Sequence, residues 1–335
     1  MSAALRVLAP GPMTTLQDGG RAGWLRFGVA PSGALDARAL AVANLLVGNP
    51  REEGALEMTL AGGTFAAEGG TVRIAVAGAD MPVAIDGAAA AQGRSHTLEP
   101  GSVLRIGAAR AGARAYLAVA GGFAAEPVFG SVATHVRSGI GGFAGRALAA
   151  GELLPLAGVP TGPELCLTAP PPPSHPRVRV VLGPQQDWFA AAAIETLLGA
   201  EYRVSARADR MGCRLEGPRL GHRAGFNIIS DAIAPGSIQV PGDGQPIVLL
   251  ADRQTTGGYP KIATVISADL PAFGQMRPGD AIRFEAVTLE AAVIARRALA
   301  RWLDRLPDTL APAGTLDSER LLGANLISGV SGGEG

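Results

Sequence analysis

The stretch EPGSVLRI, residues 99–106, joins a Pro-Gly turn to a short apolar strand, and RPGDAIRF repeats that pattern at residues 277–284. Proline presets φ at the first central position of a type II turn, and glycine takes the positive φ at the second. A looser copy, AAGELLPL, occupies residues 149–156. The repeat indicates two related β-barrels, although Pro-Gly turns before strands also occur in any β protein.

Further short apolar segments surround these turns, at 72–76, 115–119, 178–182 and 247–250. No regular series of helices alternates with them, which favours antiparallel barrels or sandwiches over a doubly wound sheet. We therefore predict a mainly β (β-rich α+β) protein of two β-barrel domains with a few short helices. Apolar periodicity and stop signals predict those helices at 34–47, 187–198 and 289–303.

Four consecutive prolines mark the clearest linker, because polyproline is extended and cannot continue a central strand or a helix. We place this linker at residues 169–176. It separates a predicted N-terminal β-barrel domain, 1–168, from a C-terminal barrel domain, 177–304. Residues 305–335 are predicted to be a loosely ordered tail, because they lack strong periodicity.

Composition excludes several classes of function. Lys plus Arg and Asp plus Glu each number 29 among 335 residues, so no net field attracts nucleic acid or anionic lipid. The apolar runs fall far short of the ~20 residues that a membrane span needs. The N-terminus lacks the pattern of a signal peptide. We expect a cytoplasmic chain with no nucleic-acid or membrane partner.

The cysteines and histidines predict neither a disulfide framework nor a metal site. Cys166 and Cys213 are far apart, in no CxxC spacing, and the four histidines follow no zinc-binding pattern. Cys213 has no activating neighbour in the sequence, so a structural role is favoured over that of a nucleophile.

The first candidate site segment is GPMTTLQDGGRAGW, residues 11–24. Its glycines allow a backbone to approach a ligand closely, and Gln17, Asp18 and Arg21 supply polar groups. No Gly-Lys-Ser/Thr follows, so the segment is not a P-loop. The alternative is a turn with an internal Asp–Arg pair.

Three polar side chains lie in or after the first predicted helix: Asp36, Asn44 and Glu57. Asp36 and Asn44 are eight residues apart and share one helix face, which is either the wall of a polar pocket or a solvated surface. Asp36 could equally be an anion at the start of the helix. Glu57 lies in an apolar, strand-like run, so it either faces water or points inward, where it needs a partner such as Arg21.

The richest segment is DRQTTGGYPK, residues 252–261. Gln254 and Thr255 can hydrogen-bond to an amide, the glycine pair exposes backbone N–H groups, and Lys261 supplies a positive charge. This combination can bind a small amide or carboxylate and can stabilise an oxyanion. The alternative is a hairpin loop that carries polar side chains without chemistry.

Together these motifs resemble the family of allophanate hydrolase subunit 2 and the 5-oxoprolinase C subunit, also known as KipA-like proteins and as the biotin-dependent carboxyltransferase family. The resemblance follows GPMTTLQDGGR, GVAPSGALD, ANLLVGN, QVPGDGQP and DRQTTGGYPKIA in order along the chain. It implies cyclophilin-like barrels. By motif position it identifies a set of pocket residues: Gln17, Asp18, Arg21, Asp36, Asn44, Glu57, Gln239, Gln254, Gly258, Tyr259 and Lys261. From their chemistry we infer the catalytic candidates Lys261, Tyr259, Asp18 and Asp36, and the substrate-binding candidates Gln17, Arg21, Asn44, Glu57, Gln239, Gln254, Thr255 and Gly258.

The resemblance also implies an activity, which is the ATP-dependent opening of a cyclic amide, 5-oxo-L-proline, to L-glutamate. It implies a complex with two partners, a KipI-like B subunit plus a LamB/YcsF-type A subunit. ATP is expected from the resemblance alone, since no nucleotide motif is visible. Two alternatives stay open: the carboxyltransferase component of a biotin-dependent urea or amide carboxylase, and a non-catalytic KipA-like regulator of a KipI-like partner.

The two candidate segments are far apart in the sequence, so the resemblance carries a spatial expectation. Lys261 and Tyr259 should lie in one cleft. At least one N-terminal candidate should reach that cleft, within the chain or across a subunit interface.

Overall fold

The first half of the chain folds into two packed sheets. The computed structural model describes residues 3–175 and 177–314. The strands of the first range are β1 (Ala4–Ala9), β2 (Thr14–Gln17), β3 (Ala55–Thr59), β4 (Thr64–Glu68), β5 (Val72–Asp80), β6 (Val83–Ile85), β7 (Ala88–Ala90), β8 (Ser95–Leu98), β9 (Val103–Ile106), β10 (Ala111–Val119), β11 (Leu153–Pro155) and β12 (Leu165–Leu167). One sheet has the order β11-β1-β4-β9-β6-β7 and the other β2-β3-β10-β5-β8. Alternating apolar residues such as Leu56, Met58 and Phe65 fill the space between them.

The second half is built on one long sheet. Its strands are β13 (Val178–Leu182), β14 (Tyr202–Val204), β15 (Gly212–Glu216), β16 (Asp231–Ala232), β17 (Ser237–Gln239), β18 (Ile247–Leu249), β19 (Thr256–Gly257), β20 (Lys261–Val265), β21 (Ala281–Ile282), β22 (Phe284–Ala286) and β23 (Leu310–Pro312). Eight of them pair in the order β21-β14-β15-β18-β17-β20-β13-β22. The two edge strands are separated by Arg283 alone, so the sheet is a nearly closed barrel. The predicted β-rich class is confirmed.

The helices are α1 (Ala37–Leu46), α2 (Ala191–Gly199), α3 (Leu270–Gln275) and α4 (Leu289–Arg305). Helix α1 starts three residues later than predicted because Asp36 caps its first turn. The start of the second predicted helix is instead a 3₁₀ turn, Gln186–Trp188. Helix α3 was not predicted, since a six-residue helix with a proline in its first turn resembles a loop in sequence.

The proline-rich segment contains no helix or strand in residues 169–175. Residues 306–312, which the tail prediction included, form a 3₁₀ turn and β23. Strand β23 pairs antiparallel with β12, so the chain returns to the first half after α4. Residues 315–335 of the predicted tail lie outside the described residues. None of the helices in the described ranges is long and apolar enough to cross a membrane.

Candidate functional site

Glu57 lies at the centre of a buried polar network between the two halves. Only 1% of this residue is exposed. Its Oε1 pairs with the guanidinium of Arg210, and its Oε2 accepts hydrogen bonds from the Tyr116 hydroxyl at 2.6 Å and the Leu35 backbone N–H at 3.0 Å. Tyr116 on β10 is the cross-strand partner of Glu57 on β3, so strand register brings the two together. The carboxylate points inward, and its charged partners are Arg210 and, at 3.8 Å, Arg114, instead of the predicted Arg21.

Arg210 connects both halves through three acceptors. Its Nε donates to Asp252 Oδ2 at 2.9 Å, and its Nη2 donates to Asp252 Oδ1 at 3.2 Å and to the Gly33 carbonyl at 2.6 Å. Burial alone would lower the pKa of Arg210, but the charges of Glu57 and Asp252 raise it. Burial alone would likewise raise the pKa of Glu57, and the charges of Arg210 and Arg114 outweigh it and lower that pKa. Both partners are therefore ionised at neutral pH.

Asp36 is the N-cap of α1. Its carboxylate accepts hydrogen bonds from the backbone N–H groups of Arg38 and Ala39, both at 3.1 Å, and from Gln275 Nε2 at 2.7 Å. Burial raises the pKa of Asp36, and these hydrogen bonds act against the rise. Its contacts match the helix-start alternative.

Asn44 lies in the last turn of α1, and its side chain bonds to the segment that follows the helix. Its Nδ2 donates to the Glu53 carbonyl at 2.8 Å, and its Oδ1 accepts from Asn49 Nδ2 at 3.1 Å. These partners differ from those of Asp36. The structure therefore does not bring the two side chains into one shared group.

Gln17, Asp18 and Arg21 all bind the backbone or side chains of one loop, residues 128–134. Gln17 Nε2 donates to the Thr134 carbonyl at 3.0 Å. The Asp18 carboxylate accepts hydrogen bonds from Ser131 Oγ at 2.6 Å and from the Val132 N–H at 2.8 Å. Arg21 donates to the Val128 carbonyl at 3.3 Å and to the Ala133 carbonyl. Burial lowers the pKa of Arg21, while the charges of Asp18 and Asp252 act in the opposite direction. The three side chains anchor this loop beside β2.

Lys261 is a buried cation at the start of β20. It is 2% exposed, and its Nζ donates to Asp231 Oδ2 at 2.5 Å and to the Ala232 carbonyl at 3.0 Å. The hydrogen bond from Lys261 lowers the pKa of Asp231. Gln239 is the neighbour of Lys261 in the β17–β20 pair, and its Nε2 donates to the Tyr259 carbonyl at 3.4 Å. The structure therefore brings Gln239, Tyr259 and Lys261 together where β17 pairs with β20.

Backbone hydrogen bonds hold Thr255 and Gly258, in the middle of the 252–261 segment. The carbonyls of Thr255 and Gly258 accept hydrogen bonds from the N–H groups of Ile233, at 3.0 Å, and Ile228, at 2.8 Å. The Tyr259 residue is 40% exposed and Gln254 is also exposed. These side chains are accessible to a ligand or to another protein.

The N-terminal candidates Gln17, Asp18 and Arg21 bond to partners other than Lys261 within the described chain. In residues 3–175 and 177–314, no hydrogen bond or ion pair joins Lys261 or Tyr259 to Gln17, Asp18 or Arg21. The other end of the segment does reach an N-terminal candidate, because Asp252 shares Arg210 with Glu57. The two ends of the segment therefore have different surroundings.

Cys213 has no features of a nucleophile. It is buried, and burial raises the pKa of its thiol to about 12, so the thiol is protonated at neutral pH. In the part of the chain that the structure describes, no group of three His, Cys, Asp or Glu side chains could hold a metal ion.

Sequence reasoning missed the partners that complete these groups: Arg210, Tyr116, Gln275 and Asp231. Tyr116 was detectable in principle, because strand register pairs it with Glu57. Arg210 and Glu57 are 153 residues apart, and no local pattern signals such a pair. Arg253 was not among the predicted site residues either. It belongs to the 252–261 segment and is 1% exposed.

Comparison with known proteins places these features in a family. The sequence profile described as "Carboxyltransferase domain, subdomain A and B" matches residues 27–286. The 5-oxoprolinase C subunit of Escherichia coli (strain K12) is 38% identical over 304 residues, which cover 90% of this chain and 97% of that protein. The 5-oxoprolinase C subunit of Haemophilus influenzae is 37% identical over 293 residues, covering 87% and 94%.

A solved structure is similar over nearly the whole fold. The crystal structure of the K. lactis urea amidolyase superimposes with a TM-score of 0.83 at 29% identity. The superposition covers 92% of this chain and 21% of that one. The fold described above therefore corresponds to one part of a much longer enzyme.

Proposed function

The chain belongs to the carboxyltransferase family with subdomains A and B, and on that basis we propose that it is the C subunit of an ATP-dependent 5-oxoprolinase. The observation that carries the proposal is the match in length. Two proteins with that name align over 97% and 94% of their own sequences. The urea amidolyase, by contrast, is matched over 21% of its length.

The proposed reaction opens the lactam of 5-oxo-L-proline. A lactam carbon is a poor electrophile, so transfer of the ATP γ-phosphoryl group to the lactam oxygen would make that carbon open to attack by water. Attack by that water and cleavage of the C–N bond give γ-glutamyl phosphate, and a second water hydrolyses this acyl phosphate, so that L-glutamate, phosphate and ADP leave. The phosphoryl group carries negative charge as it is transferred to the lactam oxygen, and a nearby cation or a set of N–H groups would stabilise that charge.

Lys261 is the residue proposed to supply that stabilisation. An ammonium has three donors, and two of those of Lys261 are used by Asp231 and Ala232. No hydrogen bond among the described residues uses the third, which would bind a ligand oxygen under this proposal. Tyr259 lies two residues before Lys261 and is accessible, so we propose that it acts beside Lys261. Asp18 and Asp36 already accept backbone N–H groups, which favours a conformational role over acid–base chemistry for both.

The proposed enzyme is a cytoplasmic complex with two further components, a KipI-like B subunit plus a LamB/YcsF-type A subunit. Turnover of ATP is assigned to the assembled complex. The exposed side chains of Gln254 and Tyr259 would then face the substrate or one of these two components.

The test is ATP hydrolysis by mixtures of the three purified proteins, with and without 5-oxo-L-proline. We expect substrate-dependent release of phosphate and glutamate from the full mixture only. Lys261→Met should lower kcat by roughly 100-fold, as loss of an oxyanion-stabilising donor does. Arg203→Met, which removes a surface ion pair with Glu201, is the control. Absence of turnover from a folded, complete mixture would overturn the proposal.

A second candidate is the carboxyltransferase component of a biotin-dependent urea or amide carboxylase. The structural match to the urea amidolyase favours it. The carboxyl group would move from the biotin nitrogen to a nitrogen of urea, so biotin would arrive on a separate carrier. Transfer from free carboxybiotin to urea, catalysed by this chain without the KipI-like and LamB/YcsF-type proteins, would decide for this candidate.

A further inference from the structure

A cavity of about 210 Å³ lies between the two halves of the molecule. Pockets for drug-sized ligands measure about 300–1,000 Å³, so this one suits a smaller molecule. Its apolar walls come from both halves: Pro31, Ala34, Leu35, Pro235, Leu250 and Leu270. The polar side chains in its lining are those of Ser32 and Arg253.

Among the described residues, Arg253 is buried in this lining without a counter-charge. It is 1% exposed, its Nε donates to the Ile233 carbonyl at 3.1 Å, and its Nη1 donates to the Leu250 carbonyl at 3.2 Å. Its Nη2 has no hydrogen-bond partner among the described residues. Burial lowers the pKa of Arg253 to about 10, which still leaves it charged at neutral pH. A buried guanidinium without an anion is costly unless something else supplies the anion.

Ser32 faces the same cavity in a strained backbone conformation. Its φ is +53°, which non-glycine residues rarely adopt, and its Oγ has no partner in the described part of the chain. Bonds to the other half hold this conformation: the Ser32 N–H donates to the Ala251 carbonyl at 3.2 Å, and Arg210 donates to the Gly33 carbonyl. Strain that the surroundings enforce is typical of ligand-binding positions.

We infer that this cavity binds a small organic carboxylate, whose oxygens accept hydrogen bonds from Arg253 Nη2 and Ser32 Oγ while a compact apolar body contacts the walls. The free guanidinium donor selects an anion. The apolar lining selects a carbon skeleton over a fully hydrated inorganic anion. Both halves contribute to the site, so it exists only when the halves are held together.

The substrate assignment rests on the proposed function. 5-Oxo-L-proline is a five-membered ring that carries one carboxylate, so it has the chemistry that the cavity selects. Under that assignment Arg253 and Ser32 hold the carboxylate of the substrate.

The experiment is isothermal titration calorimetry on the isolated full-length chain with cyclopentanecarboxylate. We expect binding of this carboxylate, and at least tenfold weaker binding of neutral 2-pyrrolidinone and of sulfate. Arg253→Met should weaken the binding of cyclopentanecarboxylate roughly 10- to 100-fold, the loss that follows removal of a charge-assisted hydrogen bond. Arg253→Lys should recover only part of the affinity, because the shorter ammonium lacks the planar fork.

Two further variants separate binding from folding. Ala34→Leu fills the wall of the cavity, leaves Arg253 in place and should block cyclopentanecarboxylate. Arg277→Met is the matched control, since Arg277 also crosses between the halves but donates to the carbonyls of Gly112 and Ala109. It should bind like the wild type. If Arg253→Met does not fold, Ala34→Leu decides the question.

The outcomes distinguish the two proposals. Equal binding of cyclopentanecarboxylate to the wild type and the folded Arg253 or Ala34 variants overturns the site, as does absence of binding to the wild type. Arg253-dependent binding without ATP turnover by the complex overturns the 5-oxoprolinase proposal and leaves the site standing. Turnover by the complex with the same KM for 5-oxo-L-proline in Arg253→Met overturns the substrate assignment alone.

Discussion

Asp252 and Arg253 are neighbours in the sequence, yet they belong to two differently built regions at the interface of the halves. Asp252 accepts two hydrogen bonds from Arg210, which also pairs with Glu57. Arg253 donates only to backbone carbonyls and keeps one free nitrogen beside the cavity. In the part of the chain that the structure describes, each charge of the first region has a counter-charge, and the positive charge of the second has none.

This difference separates two uses of a buried charge. The Glu57–Arg210–Asp252 network is satisfied by the protein alone, so it fixes how the halves meet. The Ser32–Arg253 cavity is satisfied only when an anion enters it, so it is suited to binding. Both regions share the backbone from Ser32 to Leu35, which bonds to Ala251, Arg210 and Glu57. The network therefore also shapes the cavity.

The largest effect on stability is expected from Arg210→Met. This change leaves the carboxylates of Glu57 and Asp252 buried without their main partner, and we expect it to lower the free energy of unfolding by about 3–5 kcal/mol. Urea unfolding followed by circular dichroism measures the effect. Arg203→Met, at the exposed pair with Glu201, should change stability by less than ~1 kcal/mol. A similarly small loss for Arg210→Met would mean that the network does not join the halves.

Acid should weaken the same network. The folded pKa of Glu57 lies below its ordinary value of 4.5, so the unfolded chain binds this proton first as the pH falls. The stability that Glu57 contributes is complete above about pH 4.5 and is lost as the pH falls through the folded pKa. The difference in unfolding free energy between the wild type and Glu57→Gln should therefore shrink from pH 6 to pH 3. A constant difference would show that Glu57 is not ionised in the folded state.

The fold was predictable where the signal is local. The Pro-Gly turns carry positive φ at Gly101 and Gly279, and the strand at 103–106 is β9. Helix ends were less predictable: the apolar run from residue 34 hid the fact that Asp36 ends the loop and caps the helix. A capping side chain accepts hydrogen bonds from the first backbone N–H groups of a helix. A sequence shows that a residue with such an acceptor is present, but not that the residue caps the helix.

The site was predictable only in part, because it depends on contacts between distant residues. The 252–261 motif predicts a site with a cation, and the residue predicted to supply it is Lys261. The charge of Lys261 is balanced by Asp231. Arg253 lies in the same motif without a counter-charge. The tertiary structure decides whether a buried cation has an anionic partner, and a sequence motif does not show it. Lys261 has such a partner in the described structure, and Arg253 does not.

Arg253→Met should affect stability far less than Arg210→Met, although both remove a buried guanidinium. Two hydrogen bonds to the carbonyls of Ile233 and Leu250 are lost, but an unbalanced buried charge is removed as well. We expect the free energy of unfolding to stay within about 1 kcal/mol of the wild type. The same urea titration compares the two variants. A loss of the size expected for Arg210→Met would assign Arg253 to the structural network.

The smallest effect is expected from Ser32→Gly, and its sign is informative. Glycine adopts a φ of +53° without strain, so the variant should gain about 0.5–1 kcal/mol after the entropic cost of glycine. Ser102→Gly, at a position without positive φ, should instead lose a similar amount. Ser32→Gly should also bind cyclopentanecarboxylate more weakly, because it lacks the hydroxyl. Higher stability with lower affinity is the result expected if the fold holds Ser32 in strain for binding, and a loss of both would contradict it.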